Sequence, residues 1–165
     1  MAQTASIVTN LFTGFLQDPE TGVGAAVSTL ATDSGIALAP LPPDHVINQN
    51  VSVAISERSL AVNYPVVHVY SNRVKNALTE KCRTFSGKVQ TVAEVRVSQD
   101  RIEGIEAQVR LYVDAVTQVL DTNRGSWGQG VFFTGGYEVN FDPVSHGGKN
   151  FLQIAKVIFE VDLSS

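Results

Sequence analysis

The chain has 165 residues, of which 44% are hydrophobic and 17% charged, and its net charge is −4. This composition excludes a disordered, highly charged polypeptide, and the length is enough for one domain with its own core. A single cysteine, Cys82, excludes an internal disulfide and a cysteine-only metal site. Residues 1–16 contain no Lys or Arg and no long apolar run, so we expect neither a signal peptide nor membrane binding.

The first third of the chain is acidic. Its first basic residue is Arg58 and five acids precede it, so residues 1–57 carry −5 and residues 58–165 carry +1. Pairs of apolar residues recur every four positions and predict an amphipathic helix that ends at Asp18-Pro19. The residues of this apolar pattern are Ile7, Val8, Leu11, Phe12, Phe15 and Leu16.

Residues 20–50 follow this helix and contain three glycines and the proline-rich run 39–43, which together predict an irregular arm. We expect a single domain overall, in which residues 1–57 form the helix and the acidic arm. Residues 58–165 then form an α+β core.

Alternating β-branched residues predict strands at 51–55 and 65–70. The stretch 88–97 alternates more regularly and predicts a half-buried strand, with Lys88, Gln90, Glu94 and Arg96 on its solvent face. Apolar residues then recur at helical spacing from a possible cap at Ser98 to Asp121, which predicts a long helix.

Two further strands are predicted at 131–141 and 151–161, and turn-forming residues between them favour an antiparallel hairpin. The predicted fold is therefore α+β. It consists of a mostly antiparallel sheet with the long helix packed on one face, preceded by the N-terminal helix and extended arm.

Nothing in the sequence indicates catalysis. The histidines His45, His68 and His146 lack metal-ligand spacing, and the glycine-rich run 125–130 follows a helix, whereas a phosphate-binding loop follows a strand. Cys82 lies between two cations that could favour its thiolate, but no nucleophile motif surrounds it. We expect no catalytic residue, no metal, no cofactor and no enzymatic activity.

Two surfaces are candidates for interaction. Five cations lie between residues 73 and 88 with only Glu80 to oppose them, which gives a local charge of +4. These cations are Arg73, Lys75, Lys81, Arg83 and Lys88. Such a cluster can bind nucleic-acid phosphates, dock an acidic partner or simply be solvated.

The second candidate surface is the last predicted strand. Asn150–Asp162 would span ~43 Å at about 3.3 Å per residue, which is longer than a typical strand, so we expect part of it to project from the domain. Apolar side chains on such a projection favour oligomer formation. The candidate subunit-interface residues are Phe151, Ile154, Val157 and Phe159.

Several local phrases resemble the tail-terminator or tail-completion proteins of tailed bacteriophages. They are Tyr64–Tyr70, Phe85-Ser86-Gly87 leading into an alternating strand, the Gln99–Leu120 helix, Trp127 and Ile154–Asp162. The resemblance covers roughly residues 60–165. It implies a non-enzymatic virion protein at the junction of tail and neck, made in the host bacterial cytoplasm.

Members of this family form hexameric rings that cap the tail tube, stop its polymerisation and present a surface to the head-side connector. The implied partners are other copies of the chain, the tail-tube protein and a neck, connector or head-completion protein. Genomic DNA would contact the channel passively. The family has no diagnostic functional motif, so the resemblance assigns no individual binding residue.

Two alternatives stay open. Another neck or head–tail connector, or a tail-tube-related subunit, would share the ring symmetry. A small ligand-binding or DNA-binding domain belongs to a different class. For DNA binding, a pI near 5.3 argues against dedicated duplex recognition.

Overall fold

The computed structural model describes residues 3–59, 63–147 and 150–165, and it confirms the α+β class. Four helices are present in these ranges: α1 (Thr4–Gln17), α2 (Val23–Ser34), α3 (Val53–Ser59) and α4 (Ile105–Thr122). The strands of the same ranges are β1 (Val46–Asn48), β2 (Val66–Asn76), β3 (Ser86–Gln99), β4 (Gly125–Gly128), β5 (Val131–Phe133), β6 (Tyr137–Phe141), β7 (Ser145–Gly147) and β8 (Asn150–Ser164). They form one mostly antiparallel sheet.

The two longest strands, β3 and β8, form the centre of the sheet and pair antiparallel along almost their whole length. The other edge of β3 pairs with β2, and β1 joins β2 in parallel. The other edge of β8 pairs in turn with β5, β6 and β7. The prediction that part of β8 projects from the domain is therefore wrong, because the strand is long to match β3 and is paired on both sides.

The hydrophobic core lies between one face of this sheet and the helices α1, α2 and α4. Every second residue of β3 from Val89 to Val97 points into it, as the pleat of a strand requires. Phe12 of α1 packs edge-on against Phe159 of β8, with ring centroids 4.8 Å apart, and both contact Trp127. Each such buried aromatic side chain contributes about 1.5–3 kcal/mol of transfer free energy.

The N-terminal helix ends where the sequence predicts it. α1 stops at Gln17, and a carboxylate oxygen of Asp18 accepts hydrogen bonds from the backbone N–H groups of Glu20 and Thr21 at 2.8 and 3.0 Å. These two hydrogen bonds hold the pKa of Asp18 below its ordinary value. The carboxylate thereby fixes the turn that leads into the next helix.

The prediction of an irregular arm over residues 20–50 is wrong for its first half, where α2 forms. Gly22 and Gly35 lie at the two caps of this helix and do not interrupt it, and Gly35 adopts φ 71° while its N–H bonds to Ala31. Val23 and Val27 reach the core from α2, and Leu41 of the proline-rich run is also buried. The segment therefore packs in the same core as the sheet.

The strand predicted at 51–55 is also wrong, because α3 begins at Val53. β1 already pairs with β2 at Val67–Val69, so this edge is occupied at the start of β2. The long helix begins at Ile105, not at Ser98, because β3 continues to Gln99 and Gly104 adopts the left-handed conformation at φ 81°.

The strand predicted at 131–141 is split into β5 and β6 at Gly135, where φ is 112°. The antiparallel pairing of β6 with β8 agrees with the predicted hairpin. Asp142-Pro143 lies between them as predicted, and the Asp142 N–H bonds to the Ile154 carbonyl oxygen at 2.9 Å.

Candidate functional site

The face of the sheet opposite the core, called here the outer face, carries most of the charged residues of the central strands. On β3 it presents Lys88, Gln90, Val92, Glu94 and Arg96. Register places His68, Tyr70, Arg73 and Lys75 of β2 on one side of these residues, and Lys156, Glu160 and Asp162 of β8 on the other. α3 lies over one end of the outer face, and the other end is open.

Under α3 the outer face holds a buried ion pair. Arg96 donates through Nε and Nη2 to Oε2 of Glu94 at 2.6 and 2.5 Å, and both side chains are almost fully buried. The same guanidinium donates to the Val51 carbonyl oxygen at 2.5 Å and lies 3.5 Å from the Ser56 hydroxyl. Arg96 therefore holds the segment that contains α3 against the sheet.

This ion pair corrects the prediction that Glu94 and Arg96 lie on a solvent face. Alternation of polar and apolar residues shows that two faces differ, but it cannot distinguish a solvated face from one where opposite charges are buried together. The spacing of Glu94 and Arg96, two residues apart on one strand, is the signal that an ion pair on one face was possible.

Three further side chains lie beside this ion pair, namely Tyr70, His68 and the partly exposed Lys156. Tyr70 donates its hydroxyl to Oε1 of Glu94 at 3.0 Å, and Lys156 Nζ lies 3.9 Å from the same oxygen. Burial, together with the negative charge of Glu94, raises the pKa of Tyr70 far above its ordinary value. Burial, together with the charge of Arg96, lowers the pKa of His68, whose Nδ1 lies 3.3 Å from the Gln49 carbonyl oxygen. Tyr70 and His68 are therefore both neutral at neutral pH, and the network holds structure in place.

At the open end of the outer face, cations on β2 and β3 lie next to acids on β8. Arg73 and Lys75 lie on β2, Lys88 on β3, and Glu160 and Asp162 on β8. Lys88 Nζ is 3.1 Å from Oδ1 of Asp162. A cleft of about 210 Å³ lies among Arg73, Lys75, Lys88 and Glu160, and a groove of about 380 Å³ continues from it toward Phe132.

These acids change the charge of the predicted basic cluster. Glu160 and Asp162 join Glu80 beside the five cations, so the sequence count of +4 becomes +2. Lys81 and Arg83 lie in the exposed loop of the β2–β3 hairpin, where Arg83 Nε is 3.4 Å from the Glu80 carboxylate. The two β8 acids cannot be recognised from sequence as neighbours of the cluster, because they lie more than 70 positions further along the chain. Their spacing of two residues predicts that both acids lie on one face of the last strand, but it does not show which strand lies beside them.

The predicted interface residues of β8 divide into two pairs. Val157 and Phe159 are buried in the chain's own core, so neither can reach another subunit and their assignment to an interface is wrong. Phe151 is half-buried and its ring lies 5.1 Å from that of His146, while Ile154 is half-buried on the outer face. The error follows from the wrong expectation of a projecting strand.

Other apolar side chains are exposed. They are Val74 (47% exposed), Leu78 (60%), Phe132 (48%), Tyr137 (40%) and Phe141 (48%), and they lie on the β2–β3 hairpin or on β5 and β6. Val74 lies on β2, whereas Tyr137 and Phe141 lie on β6 on the other side of the sheet, and exposed apolar side chains of this kind can contact other molecules. Their exposure could not be predicted from sequence, since four of them occur in ordinary strand patterns and Leu78 lies in a loop.

The β2–β3 hairpin presents a continuous exposed surface over residues 72–84. Its base is ordered by side-chain contacts, because Asn76 Oδ1 accepts the backbone N–H groups of Leu78 and Ser86 at 3.2 and 3.1 Å. The Ser165 carbonyl oxygen accepts the N–H groups of Thr84 and Phe85 at 3.0 and 3.1 Å. The hairpin is thus a fixed projection whose base is tied to the end of β8.

Comparison with protein-family models and with curated proteins finds no match for this sequence. Among the residues that the structure describes, no group of three or more His, Cys, Asp or Glu side chains is placed to hold a metal ion. Over the same residues, no helix has both the length and the apolar character needed to cross a membrane.

Proposed function

We propose that this protein is a structural subunit of a tailed-bacteriophage tail terminator. It assembles as a ring at the end of the tail tube, stops tube polymerisation and joins the tail to the neck. The observation that supports this most is the anchored β2–β3 hairpin, which exposes Val74 and Leu78 beside five cations. A fixed projection that carries both apolar and basic side chains is a surface that an assembly protein can bury against a partner.

The distribution of charge supports a ring built from head-to-tail contacts. Asp44 lies near the start of β2, because the adjacent His45 bonds to the Pro65 carbonyl oxygen at 2.8 Å. The basic hairpin lies at the other end of β2, about 36 Å away at 3.3 Å per residue. Opposite charges on different parts of one subunit favour heterologous contacts, and such contacts form a ring when the rotation from one copy to the next closes.

The partners in this proposal are other copies of the chain, the tail-tube protein and a neck, connector or head-completion protein. The protein acts in the virion at the tail–neck junction. Genomic DNA passes through the ring and contacts it without sequence readout, which needs no base-specific side chains.

The experiment is light scattering of the purified protein, followed by negative-stain imaging. A ring of six copies of 17.7 kDa, about 106 kDa, is the expected result. The protein should also stop the polymerisation of its tail-tube protein when it is added in substoichiometric amount. Helical filaments would indicate a tube subunit, and a protein that stays monomeric even with tubes present would contradict the proposal.

A further inference from the structure

Within the described ranges, β2 and β6 are among the strands that have an open edge. β1 covers β2 only at Val67–Val69, and within the described ranges no strand lies alongside the outer edge of Asn72–Asn76. At the other side of the sheet, β6 pairs with β8 through one edge, and its second edge is also open in the described part of the chain. Open edges offer unpaired N–H and C=O groups that can pair with another strand.

The side chains on these two edges are complementary on both faces. On the outer face β2 presents Arg73 and Lys75, and β6 presents Glu138, which pairs in register with Ile158. On the core side β2 presents the exposed Val74, and β6 presents the exposed aromatic rings of Tyr137 and Phe141. A junction of the two edges would place opposite charges together on one face and apolar groups together on the other.

We propose that β6 of one copy pairs with β2 of the next copy, so that the sheet continues from subunit to subunit around the ring. This inference rests on the proposed function, because it names the contact that closes the proposed ring. The contact uses two different edges, so it is heterologous and repeats around an axis. Pairing β2 with β2 would instead oppose like cations, and pairing β6 with β6 would oppose Glu138 with itself.

The direction of pairing follows from the topology. β2, β3, β8 and β6 are antiparallel in succession, so β6 runs opposite to β2 within one copy. Rotation about a ring axis leaves the direction of a strand along that axis unchanged. When the strands run along the axis, β6 therefore meets the β2 of its neighbour antiparallel, as a regular ladder requires.

The offset between the two edges is compatible with a closed sheet. Within one copy, the pairing through β8 and β3 places Val139 of β6 level with Ala93 of β3 and Val69 of β2. The open part of β2 is centred near Val74, which pairs with Val89 of β3. To meet, the two edges must therefore shift by the distance from Ala93 to Val89, which is about 13 Å along the strands. The four strands from β2 to β6 are together about 19 Å wide. The resulting inclination of about 35° lies in the range at which strands tilt in closed sheets.

Charge reversal tests the contact. Glu138→Lys, and separately Arg73→Glu with Lys75→Glu, should each raise the protein concentration for half-assembly by about tenfold or more, because like charges then face each other. Combining the three substitutions should restore assembly to within about threefold of the original protein. Arg110→Glu, on the exposed side of α4, is the matched control and should leave assembly unchanged. Circular dichroism checks that each variant is folded.

Disulfide trapping provides a second measurement that does not depend on charge. In a Cys82→Ser background, Val74→Cys combined with Val139→Cys, the residue that the offset brings opposite Val74, should give a ladder of covalent multimers on oxidation. Facing Cα atoms of paired strands are about 4.5–5.5 Å apart, within disulfide range. Val74→Cys combined with Ile102→Cys, in the exposed turn before α4, is the control that should give no ladder.

The outcomes separate this inference from the proposed function. Hexameric rings that persist in all the charge-reversed variants, together with no ladder from the Val74→Cys and Val139→Cys pair, would overturn the edge contact and leave the ring standing. A protein that forms no ring at any concentration or with tubes would overturn both. Loss of assembly on reversal with rescue in the combined variant supports the edge contact.

Discussion

Arg96 is the residue whose removal tests the reasoning about the outer face most directly. Arg96→Met keeps most of the side-chain volume but leaves the Glu94 carboxylate buried without its main partner. Removing one member of a buried ion pair costs about 3–5 kcal/mol, because the remaining charge stays desolvated. The Tyr70 hydroxyl, 3.0 Å from Glu94, compensates for only part of this loss.

A double-mutant cycle separates the pair from the packing around it. Glu94→Gln should destabilise by a similar amount, since it leaves the guanidinium unpaired. The combined variant should lose less than the two single losses added together, with a coupling free energy of about 2 kcal/mol or more. Urea unfolding followed by the fluorescence of Trp127, the one tryptophan of the chain, measures all four proteins.

The cycle also has a local readout. Arg96 holds the Val51 carbonyl oxygen and the Ser56 hydroxyl, so Arg96→Met should speed trypsin cleavage after Arg58 more than cleavage elsewhere. A loss below about 1 kcal/mol with additive single effects would show that the pair is not desolvated as the contacts indicate. Unchanged cleavage after Arg58 would show that the guanidinium does not hold α3.

Two further predictions concern glycine and pH. Gly14→Ala, in an open position of α1, should raise the free energy of unfolding by about 0.5–1 kcal/mol. Gly87→Ala should lower it by more than about 2 kcal/mol, because the new Cβ would lie 1.8 Å from the Lys75 carbonyl oxygen; urea unfolding of the two variants checks the opposite signs. The lowered pKa of His68 means that the unfolded chain binds the proton more tightly, so stability should fall as the pH drops below the unfolded value of 6.5. Comparing urea midpoints at about pH 7.5 and 5.5 tests this, since the wild-type protein should lose more than His68→Asn, and an equal loss would contradict it.

The sequence predicted the elements in which one period dominates. α1 carries paired apolar residues every four positions, and β3 alternates over most of its length, so local pattern and final structure agree. α2 was missed because its small residues give a weak apolar stripe and its glycines lie at the caps or, for Gly24, in the first turn. The start of α4 was placed too early because Ile102 continues the helical spacing, although this side chain is exposed in the structure.

The open surfaces could not be derived in the same way. Whether Val157 faces the core or a partner depends on which strands flank β8, and those strands come from residues 131–147 and 86–99. The two acids beside the basic cluster likewise arrive by pairing between distant segments. Strand periodicity fixes which side chains share a face, but it carries no information on what lies against that face.

The central position of β8 also determines when the sheet can form during synthesis of the chain. β8 follows the other described strands along the chain, yet it separates β3 from β5, β6 and β7. A nascent chain without β8 has a β2–β3 hairpin and short strands with no strand to join them. The pairing of β8 with β3 connects segments that are distant in sequence, and such pairings form slowly. Translation must therefore pass through β8 before the sheet can close, so that incomplete chains lack a native sheet.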